Sequence, residues 1–160
     1  MEPVVAILMG SKSDWEVMKT SADVLRSFGI ANEAKVLSAH RTPKEACAYV
    51  ESAESRGIKV IIAAAGGAAP LAGVCAAHTV LPVLGVPMEG WALKGLDALL
   101  ATVQMPPGIP VGTLAIGKPG ATNAALLAVA ILGVSEPKLR AQLVAYRAEQ
   151  TKKILAETLS

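Results

Sequence analysis

The sequence predicts an α/β protein whose parallel β-sheet is covered by helices on both faces, and two observations predict it. Five short runs rich in Val, Ile, Leu and Ala alternate with segments of helical character, which is the order of consecutive βαβ units. These runs are almost continuously apolar, as strands buried on both faces of a parallel sheet are. At 160 residues, the chain has the length of one domain.

The predicted elements follow one another in a regular order. The apolar run at 4–9 is the first strand, and the first helix follows it at 14–28. Polar and apolar residues alternate at 33–37, which predicts the second strand. The remaining strands are expected at 59–65, 80–86 and 111–116, and the remaining core helices at 43–56, 71–79, 93–103 and 121–132.

A long amphipathic helix is expected at the C-terminal end, at 137–159, with no strand after it. Its apolar positions are Leu139, Leu143, Val144, Tyr146, Ile154 and Leu155. The helix is too long for one more crossover, so we expect a single domain at 1–160 in which 137–159 is an arm that packs on a neighbouring subunit. Packing of this helix on its own domain is the alternative that stays open.

Composition and charge exclude several classes of partner. The net charge is only +2 and the basic residues are scattered, so no nucleic-acid-binding face is expected and the ligand should be small. The longest apolar runs, at 60–65 and 124–132, are well short of the roughly 20 residues that cross a bilayer. A mean hydropathy of +0.47 is high for a small monomer and favours an oligomer that hides apolar surface between subunits.

The two cysteines provide neither a disulfide framework nor a metal-binding spacing. Cys47 and Cys75 lie on predicted helices without nearby acid-base partners, and both are expected to be small core residues. The N-terminal residues lead into a strand without the pattern of a signal segment. A cytoplasmic protein that uses no metal is therefore expected.

The sequence SAHRTP, which follows the second predicted strand, carries the strongest polar groups of the chain. Thr42, Pro43 and Glu45 are typical of an N-cap, a first-turn proline and a capping-box acid. His40 and Arg41 therefore lie on a strand-to-helix loop, at the edge of a parallel sheet where ligands bind. An arginine can bind a phosphate through two N–H groups, and a histidine titrates near neutral pH. The loop thus predicts an anion site with a proton carrier, although alone it is equally typical of a capped helix.

Two further loops follow the first and third strands. The sequence GSKSD at 10–14 places hydroxyl groups at a helix N-terminus, where free amides favour a phosphate. The sequence AGGAA at 65–69 exposes backbone amides and lets a flat ring approach the chain. Each loop, taken alone, is more typical of an ordinary helix cap or of tight packing between helix and sheet. Because the carboxyl ends of the first three strands converge, the three loops together predict one ligand site.

These motifs and five others resemble the PurE family of purine biosynthesis over essentially the whole chain. The five others are PVLGVP at 82–87, GLD at 95–97, VQMP at 103–106, GIPV at 108–111 and NAALL at 123–127. The resemblance implies a flavodoxin-like three-layer fold, a homo-octamer with active sites near subunit junctions, and no metal or organic cofactor. It also implies the 5-(carboxyamino)imidazole ribonucleotide mutase reaction, in which a carboxylate moves from the exocyclic nitrogen of the aminoimidazole to a ring carbon.

The resemblance also implies a role for each site residue. His40, the only histidine at the ligand edge of the predicted sheet, is the expected catalytic residue and serves first as acid and then as base. The resemblance implies that Ser11, Ser38 and Arg41 bind the phosphate and that Asp14 binds the ribose hydroxyls. It implies that the backbone of Gly66, Gly67 and Ala68 contacts the carboxylate and the imidazole ring. Ser13 and Ala65 are expected to make further contacts with the substrate.

The chain departs from the family pattern at two positions near the third loop. Pro70 stands where the family usually has a second active-site histidine, and Ala64 stands where a glycine is common. Pro70 suits the first turn of the next helix, but its presence leaves His40 as the only imidazole for turnover. Ala64 is expected to add a methyl group near the crevice. His78 falls too late in its helix to replace the missing histidine and is expected at the surface or at an interface.

Two other functions stay open. A sister enzyme carboxylates aminoimidazole ribonucleotide directly with carbon dioxide; it tends to carry a lysine after the histidine and Arg-Ser-Asn after the first glycine of the third loop. Arg41 and the sequence GAA at 67–69 favour the mutase over that carboxylase. A ribonucleotide-binding module that has lost turnover through Pro70 is the alternative of a different class. Turnover of the carboxyamino substrate separates these functions.

Overall fold

A computed structural model describes residues 2–159; Met1 and Ser160, the ends of the predicted domain, lie outside the described residues. In this described part of the chain, five parallel strands form one sheet in the order β2-β1-β3-β4-β5. This is the strand order of flavodoxin-like folds, and it confirms the predicted α/β class. The strands are β1 (Val5–Met9), β2 (Asn32–Val36), β3 (Val60–Ala65), β4 (Val83–Pro87) and β5 (Gly112–Thr113).

Between residues 2 and 159, six helices connect and follow the strands. They are α1 (Trp15–Ser27), α2 (Pro43–Glu51), α3 (Leu71–Ala77), α4 (Leu96–Val103), α5 (Lys118–Gly133) and α6 (Pro137–Leu155). Short 3-10 turns precede α1 at Lys12–Asp14 and follow α2 at Glu54–Arg56. Within the described residues, none of the helices is both long enough and apolar enough to cross a membrane.

The central strands separate two apolar clusters, one on each face of the sheet, because successive side chains of a strand point to opposite faces. Ile7 and Ile62 pack into the cluster that α1, α5 and the start of α6 cover. Leu8 and Ile61 pack into the cluster that α2 and α3 cover. All four side chains are fully buried, so the three-layer architecture predicted from the sequence is confirmed.

Several predicted boundaries are wrong, and each has a local cause. The fourth strand begins at Val83 rather than at 80, because a hydrogen bond from the Leu81 amide to the Thr79 hydroxyl shapes a loop before it. The fourth helix begins at Leu96 rather than at 93, since the residues before it have positive φ. The fifth strand has only two residues. Helix α5 begins at Lys118, three residues before the predicted position, and Pro119 lies in its first turn, where proline is well tolerated.

The helix predicted at 43–56 is also interrupted, and its predicted capping box does not form. The α-helix ends at Glu51, residues 52 and 53 form a turn, and a 3-10 turn follows at Glu54–Arg56. Pro43 takes the first turn as predicted, but the Thr42 side chain makes no capping bond to the helix. Its hydroxyl instead accepts from the Ser38 amide at 2.9 Å and donates to the Ser38 carbonyl oxygen at 3.1 Å. Thr42 therefore closes the loop that precedes the helix.

The C-terminal helix packs on its own domain along its first half and is exposed beyond it. Leu139 is buried, and the Phe28 and Tyr146 rings lie 5.8 Å apart between centroids. Ile154 and Leu155 expose 65% and 80% of their surface, and the helix ends at Leu155 rather than at 159. The exposed apolar end is available to a neighbouring subunit, so the arm on a neighbour stays a prediction for this half of the helix.

Candidate active site

The loops that follow β1, β2, β3 and β4 surround a cavity of about 600 Å³ at the carboxyl edge of the sheet. The sequence predicts ten site residues at three of these loops, and all ten line this cavity. They are Ser11, Ser13, Asp14, Ser38, His40, Arg41, Ala65, Gly66, Gly67 and Ala68. The parallel sheet brings them together because every strand of such a sheet ends at the same edge.

Arg41 joins the first two loops through its guanidinium group. Its Nη2 donates to the Gly10 carbonyl oxygen at 2.6 Å, and its Nε donates to the Ser38 hydroxyl oxygen at 3.3 Å. The Arg41 backbone amide donates to the same hydroxyl oxygen at 3.1 Å. A guanidinium group carries five N–H donors, so these contacts hold the side chain and leave donors for an anionic ligand.

The first loop presents two hydroxyl groups and one carboxylate. The Ser11 and Ser13 hydroxyl oxygens lie 2.9 Å apart, and the Ser11 oxygen accepts from the Ser13 amide at 3.4 Å. Burial raises the pKa of the Asp14 carboxyl above its ordinary value; a hydrogen bond with the Ser11 backbone and the charge of Arg41 oppose the rise only in part. Asp14 is thus a partly desolvated acceptor at the wall of the cavity.

The third loop has an unusual backbone that only small residues accept readily. Gly67 has φ +60° and Ala69 has φ +42°, both in the left-handed region that favours glycine. The Ala69 amide donates to the Gly66 carbonyl oxygen at 3.0 Å and closes the turn. Pro70 takes the N-cap position of α3 and also lines the cavity. The loop therefore faces the cavity with backbone rather than with long side chains.

A fourth loop, to which the sequence motifs do not point, covers the third. Met88, Glu89, Gly90 and Trp91 line the cavity directly after β4. A β-carbon built on Gly67 would lie 2.4 Å from Cζ3 of Trp91, so the indole ring lies against the glycine backbone. This loop follows the fourth strand, and ligand sites lie at the carboxyl ends of parallel strands. Its position after a strand could therefore have predicted it as part of the site.

His40 lines the cavity at an exposed position in the loop after β2, next to Arg41. Leu71 and Met88 supply buried apolar surface to the same cavity. An exposed imidazole can exchange protons with water, and the adjacent guanidinium can hold an anion in place. Within residues 2–159, no group of three or more His, Cys, Asp or Glu side chains is placed to hold a metal ion.

The structure corrects the expectations about Ala64 and Cys47. Ala64 is fully buried in the cluster beneath α1 and α5 and does not line the cavity, so its methyl group packs in the core. Cys47 is only partly buried, whereas Cys75 is buried as expected. Cys47 also has an acid-base partner, because its Sγ lies 3.3 Å from Nε2 of His78. His78 is exposed, as predicted.

Comparisons with known proteins agree with this geometry. The family model described as AIR carboxylase matches residues 4–153. Two relatives named N5-carboxyaminoimidazole ribonucleotide mutase are similar over almost their whole length. The Vibrio parahaemolyticus protein is 59% identical over 95% of this chain and 94% of its own, and the Pseudomonas aeruginosa protein is 56% identical over 97% and 95%.

A solved structure supports the same relationship at lower identity. The crystal structure of Treponema denticola PurE superposes with a TM-score of 0.87 and 27% identity, covering 96% of this chain and 94% of that one. Its fold is the three-layer arrangement described above. Because a family model matches residues 4–153 and relatives above 50% identity match at least 95% of the sequence, the chain belongs to the AIR carboxylase family.

Proposed function

We propose that this chain catalyses the N5-carboxyaminoimidazole ribonucleotide mutase reaction of purine biosynthesis. The reaction moves a carboxylate from the exocyclic nitrogen to the ring carbon and gives 4-carboxy-5-aminoimidazole ribonucleotide. One observation carries the proposal: His40 and Arg41, adjacent in the loop after β2, line the same cavity as the backbone of the Gly66–Gly67 turn. A proton carrier, an anion-binding group and a flat surface for a ring thus face one space.

Phosphate binding is proposed for the side of the cavity that carries Ser11, Ser13, Ser38 and Arg41. Three hydroxyl groups and a guanidinium group suit the oxygens of a phosphate, since each hydroxyl donates one hydrogen bond and the guanidinium donates several. The contact between Arg41 and the Gly10 carbonyl oxygen holds the guanidinium before substrate arrives. Asp14, already partly desolvated, is proposed to accept hydrogen bonds from the ribose hydroxyls.

Proton transfer is proposed for His40 alone. The protonated imidazole donates to the exocyclic nitrogen of the carbamate, the bond between that nitrogen and the carboxyl carbon breaks, and carbon dioxide is released next to the aminoimidazole. The electron-rich ring carbon then attacks carbon dioxide, and the neutral imidazole removes the proton from that carbon. The proton balance closes, because His40 gives one proton and recovers one. The buried Leu71 and Met88 side chains offer carbon dioxide an apolar surface.

An assay of both imidazole ribonucleotides, each with and without bicarbonate, tests the proposed reaction. The expected result is rapid conversion of the carboxyamino substrate without added bicarbonate. Conversion of aminoimidazole ribonucleotide that depends on bicarbonate, with no conversion of the carboxyamino form, would identify a direct carboxylase. Tight binding of either nucleotide without turnover would identify a binding module.

A homo-octamer is the assembly that we propose, and an exposed apolar surface supports an interface between subunits. Leu96, Leu100 and Val103 project from α4 with half or more of their surface exposed, and Leu93 and Trp91 continue the surface before the helix. Such a surface is typical of protein interfaces, and closed symmetric assemblies bury it completely.

We propose the cytoplasm as the location of the protein. The two free thiols, Cys47 and Cys75, suit that reducing compartment.

Light scattering tests this assembly. The purified chain is expected at about eight times its 16.4 kDa mass, and Leu100→Lys is expected to give smaller species because it places a charge in the proposed interface. The control is Val80→Lys, since Val80 is 92% exposed and lies on the loop before β4. An unchanged octamer in Leu100→Lys would exclude α4 from the interface.

A further inference from the structure

A cysteine, a histidine and a glutamate are in contact outside the candidate active site. Cys47 and Glu51 lie four residues apart on α2 and therefore share one face of that helix. His78 follows the end of α3 and reaches both of them. Its Nε2 lies 3.3 Å from Sγ of Cys47, and its Nδ1 lies 2.9 Å from Oε1 of Glu51.

The contact with Glu51 determines how the imidazole faces the thiol. An ionised carboxylate only accepts hydrogen bonds, so Nδ1 of His78 carries the hydrogen that is donated to Oε1. In the neutral imidazole the lone pair is then on Nε2, the nitrogen next to the Cys47 thiol. The three groups have the order of a nucleophile, its base and the group that orients the base. The proton of the thiol can therefore pass to His78.

The three side chains are accessible from solvent. The side chains of His78 and Glu51 are 37% and 61% exposed, and Cys47 is partly exposed. Residues 78 and 51 also line a surface cavity of about 660 Å³, whose other walls include the loops at 79–81 and 108–110. Cys47 itself does not line this cavity, and its partial exposure favours a small reactant over a folded protein. The cavity beside His78 and Glu51 has a volume in the range of small-molecule sites.

We propose that Cys47, His78 and Glu51 form a thiol-exchange site at which Cys47 reacts with low-molecular-weight disulfides. The thiol gives its proton to Nε2 of His78, and the sulfur attacks one sulfur of the disulfide. A bond forms between Sγ and that sulfur, the bond within the small disulfide breaks, and the departing thiolate takes the proton from His78. Cys47 is oxidised to a mixed disulfide, and one small thiol is released in reduced form.

Cys75 is the internal control, because it is the only other cysteine of the chain. It is fully buried. Burial raises the pKa of its thiol to about 12, and the nearby Cys47 contributes to the rise. The thiolate is the reactive form of cysteine, so Cys75 is expected to remain unmodified in the folded protein.

The first experiment uses the full-length protein without substitution. The protein is incubated with oxidised glutathione, and the modification is followed by intact mass and by peptide mapping. One glutathione per chain is expected, on Cys47, and Cys47 should react faster in the folded protein than in concentrated urea, because only the folded chain brings His78 to the thiol. A slower reaction in the folded protein, or equal modification of Cys75, would overturn the proposal.

Three substitutions then assign the roles. His78→Gln is expected to slow the modification of Cys47 by about tenfold or more, since it removes the base. Glu51→Ala is expected to slow it as well, and Glu51→Gln to restore part of the rate, because the amide oxygen still accepts from Nδ1 of His78. An unchanged rate in His78→Gln would contradict the proposal.

Glu54→Ala is the matched control for Glu51. It removes the same charge from the same cavity wall but no hydrogen bond to His78, so the parental rate is expected. Equal rates for Glu51→Ala and Glu54→Ala would exclude Glu51 as a positioning residue. Circular dichroism of each variant checks that the fold is retained.

Discussion

Nη2 of Arg41 donates to the carbonyl oxygen of Gly10 at 2.6 Å, across 31 positions of the sequence. This hydrogen bond joins the loop after β1 to the loop after β2 and orients the guanidinium group toward the cavity. The two loops lie side by side because β1 and β2 are paired in parallel, with Met9 opposite Val36. The anion binding that we propose at this edge of the sheet therefore depends on a contact between the loops that follow two neighbouring strands.

Arg41→Ala is expected to weaken the binding of a ribonucleotide product by about 2–3 kcal/mol, because a charge-assisted hydrogen bond is lost. Arg41→Lys retains the positive charge but cannot form bidentate hydrogen bonds, so an intermediate loss of ribonucleotide affinity is expected. Lys44→Ala, which removes a nearby exposed charge from α2, is the control. Titration calorimetry at constant ionic strength measures the change, and equal affinity of Arg41→Ala and the parent would place phosphate binding elsewhere.

His40→Asn is expected to retain the fold and nucleotide affinity but to lower turnover at least about 100-fold. The reason is that general acid-base catalysis, which typically contributes a factor of this size to the rate, is lost. Both kcat and the affinity for the product are measured for His40→Asn and for the parent protein, each on a single preparation. His78→Asn is the matched control, since it removes the only other histidine of the chain from a position outside the cavity. Retention of more than about a tenth of the turnover would remove His40 from the proton-transfer role.

Asp14→Asn is expected to stabilise the ligand-free protein near neutral pH while it weakens ribonucleotide binding. Burial raises the pKa of the Asp14 carboxyl in the folded state, so the ionised form costs stability above that pKa. The cost disappears as the pH falls and the carboxyl becomes neutral. The Tm difference between variant and parent should therefore be positive at about pH 7 and smaller at about pH 4. A lower Tm for Asp14→Asn at both pH values would contradict this reasoning.

Gly67→Ala is expected to destabilise the protein by about 1–2 kcal/mol, the cost of a side chain in the left-handed region, and to displace the Trp91 ring. The new β-carbon would lie 2.4 Å from that ring. Gly66→Ala is the control, because its φ is not positive and its β-carbon would meet Met88 at an ordinary 3.5 Å. Urea unfolding measures the stability, and tryptophan fluorescence reports the ring. Equal effects of the two substitutions would show that the third loop is more adaptable than its backbone indicates.

Pro70→His tests the departure from the family pattern. Pro70 lines the cavity and lies at the N-cap of α3, so a histidine there would add an imidazole without interrupting the helix. If His40 alone moves the proton, turnover should change by less than about tenfold. Single-turnover kinetics at several pH values measure this change. A gain above about 100-fold would contradict the one-histidine mechanism and favour the binding-module function for the natural sequence.

The sequence by itself determined the fold class and the loops that carry the candidate site. Apolar runs such as 60–65 indicate strands buried on both faces, and the alternation of strands and helices implies a parallel sheet. The SAHRTP motif was placed on the correct loop because its position after a strand is a local property of the chain. The roles of the ten predicted site residues, which line the cavity at the carboxyl edge of the sheet, stay predictions until substrate binding and turnover are measured.

Only the tertiary structure decided which groups meet across the chain. The contact of Arg41 with Gly10, the Trp91 ring against Gly67 and the approach of His78 to Cys47 join positions that no local pattern relates. Element ends also escaped prediction, because hydrogen bonds and positive φ in the adjoining loops set them. Helical and strand periodicity determine which side of an element is buried, whereas packing in three dimensions determines what that side touches.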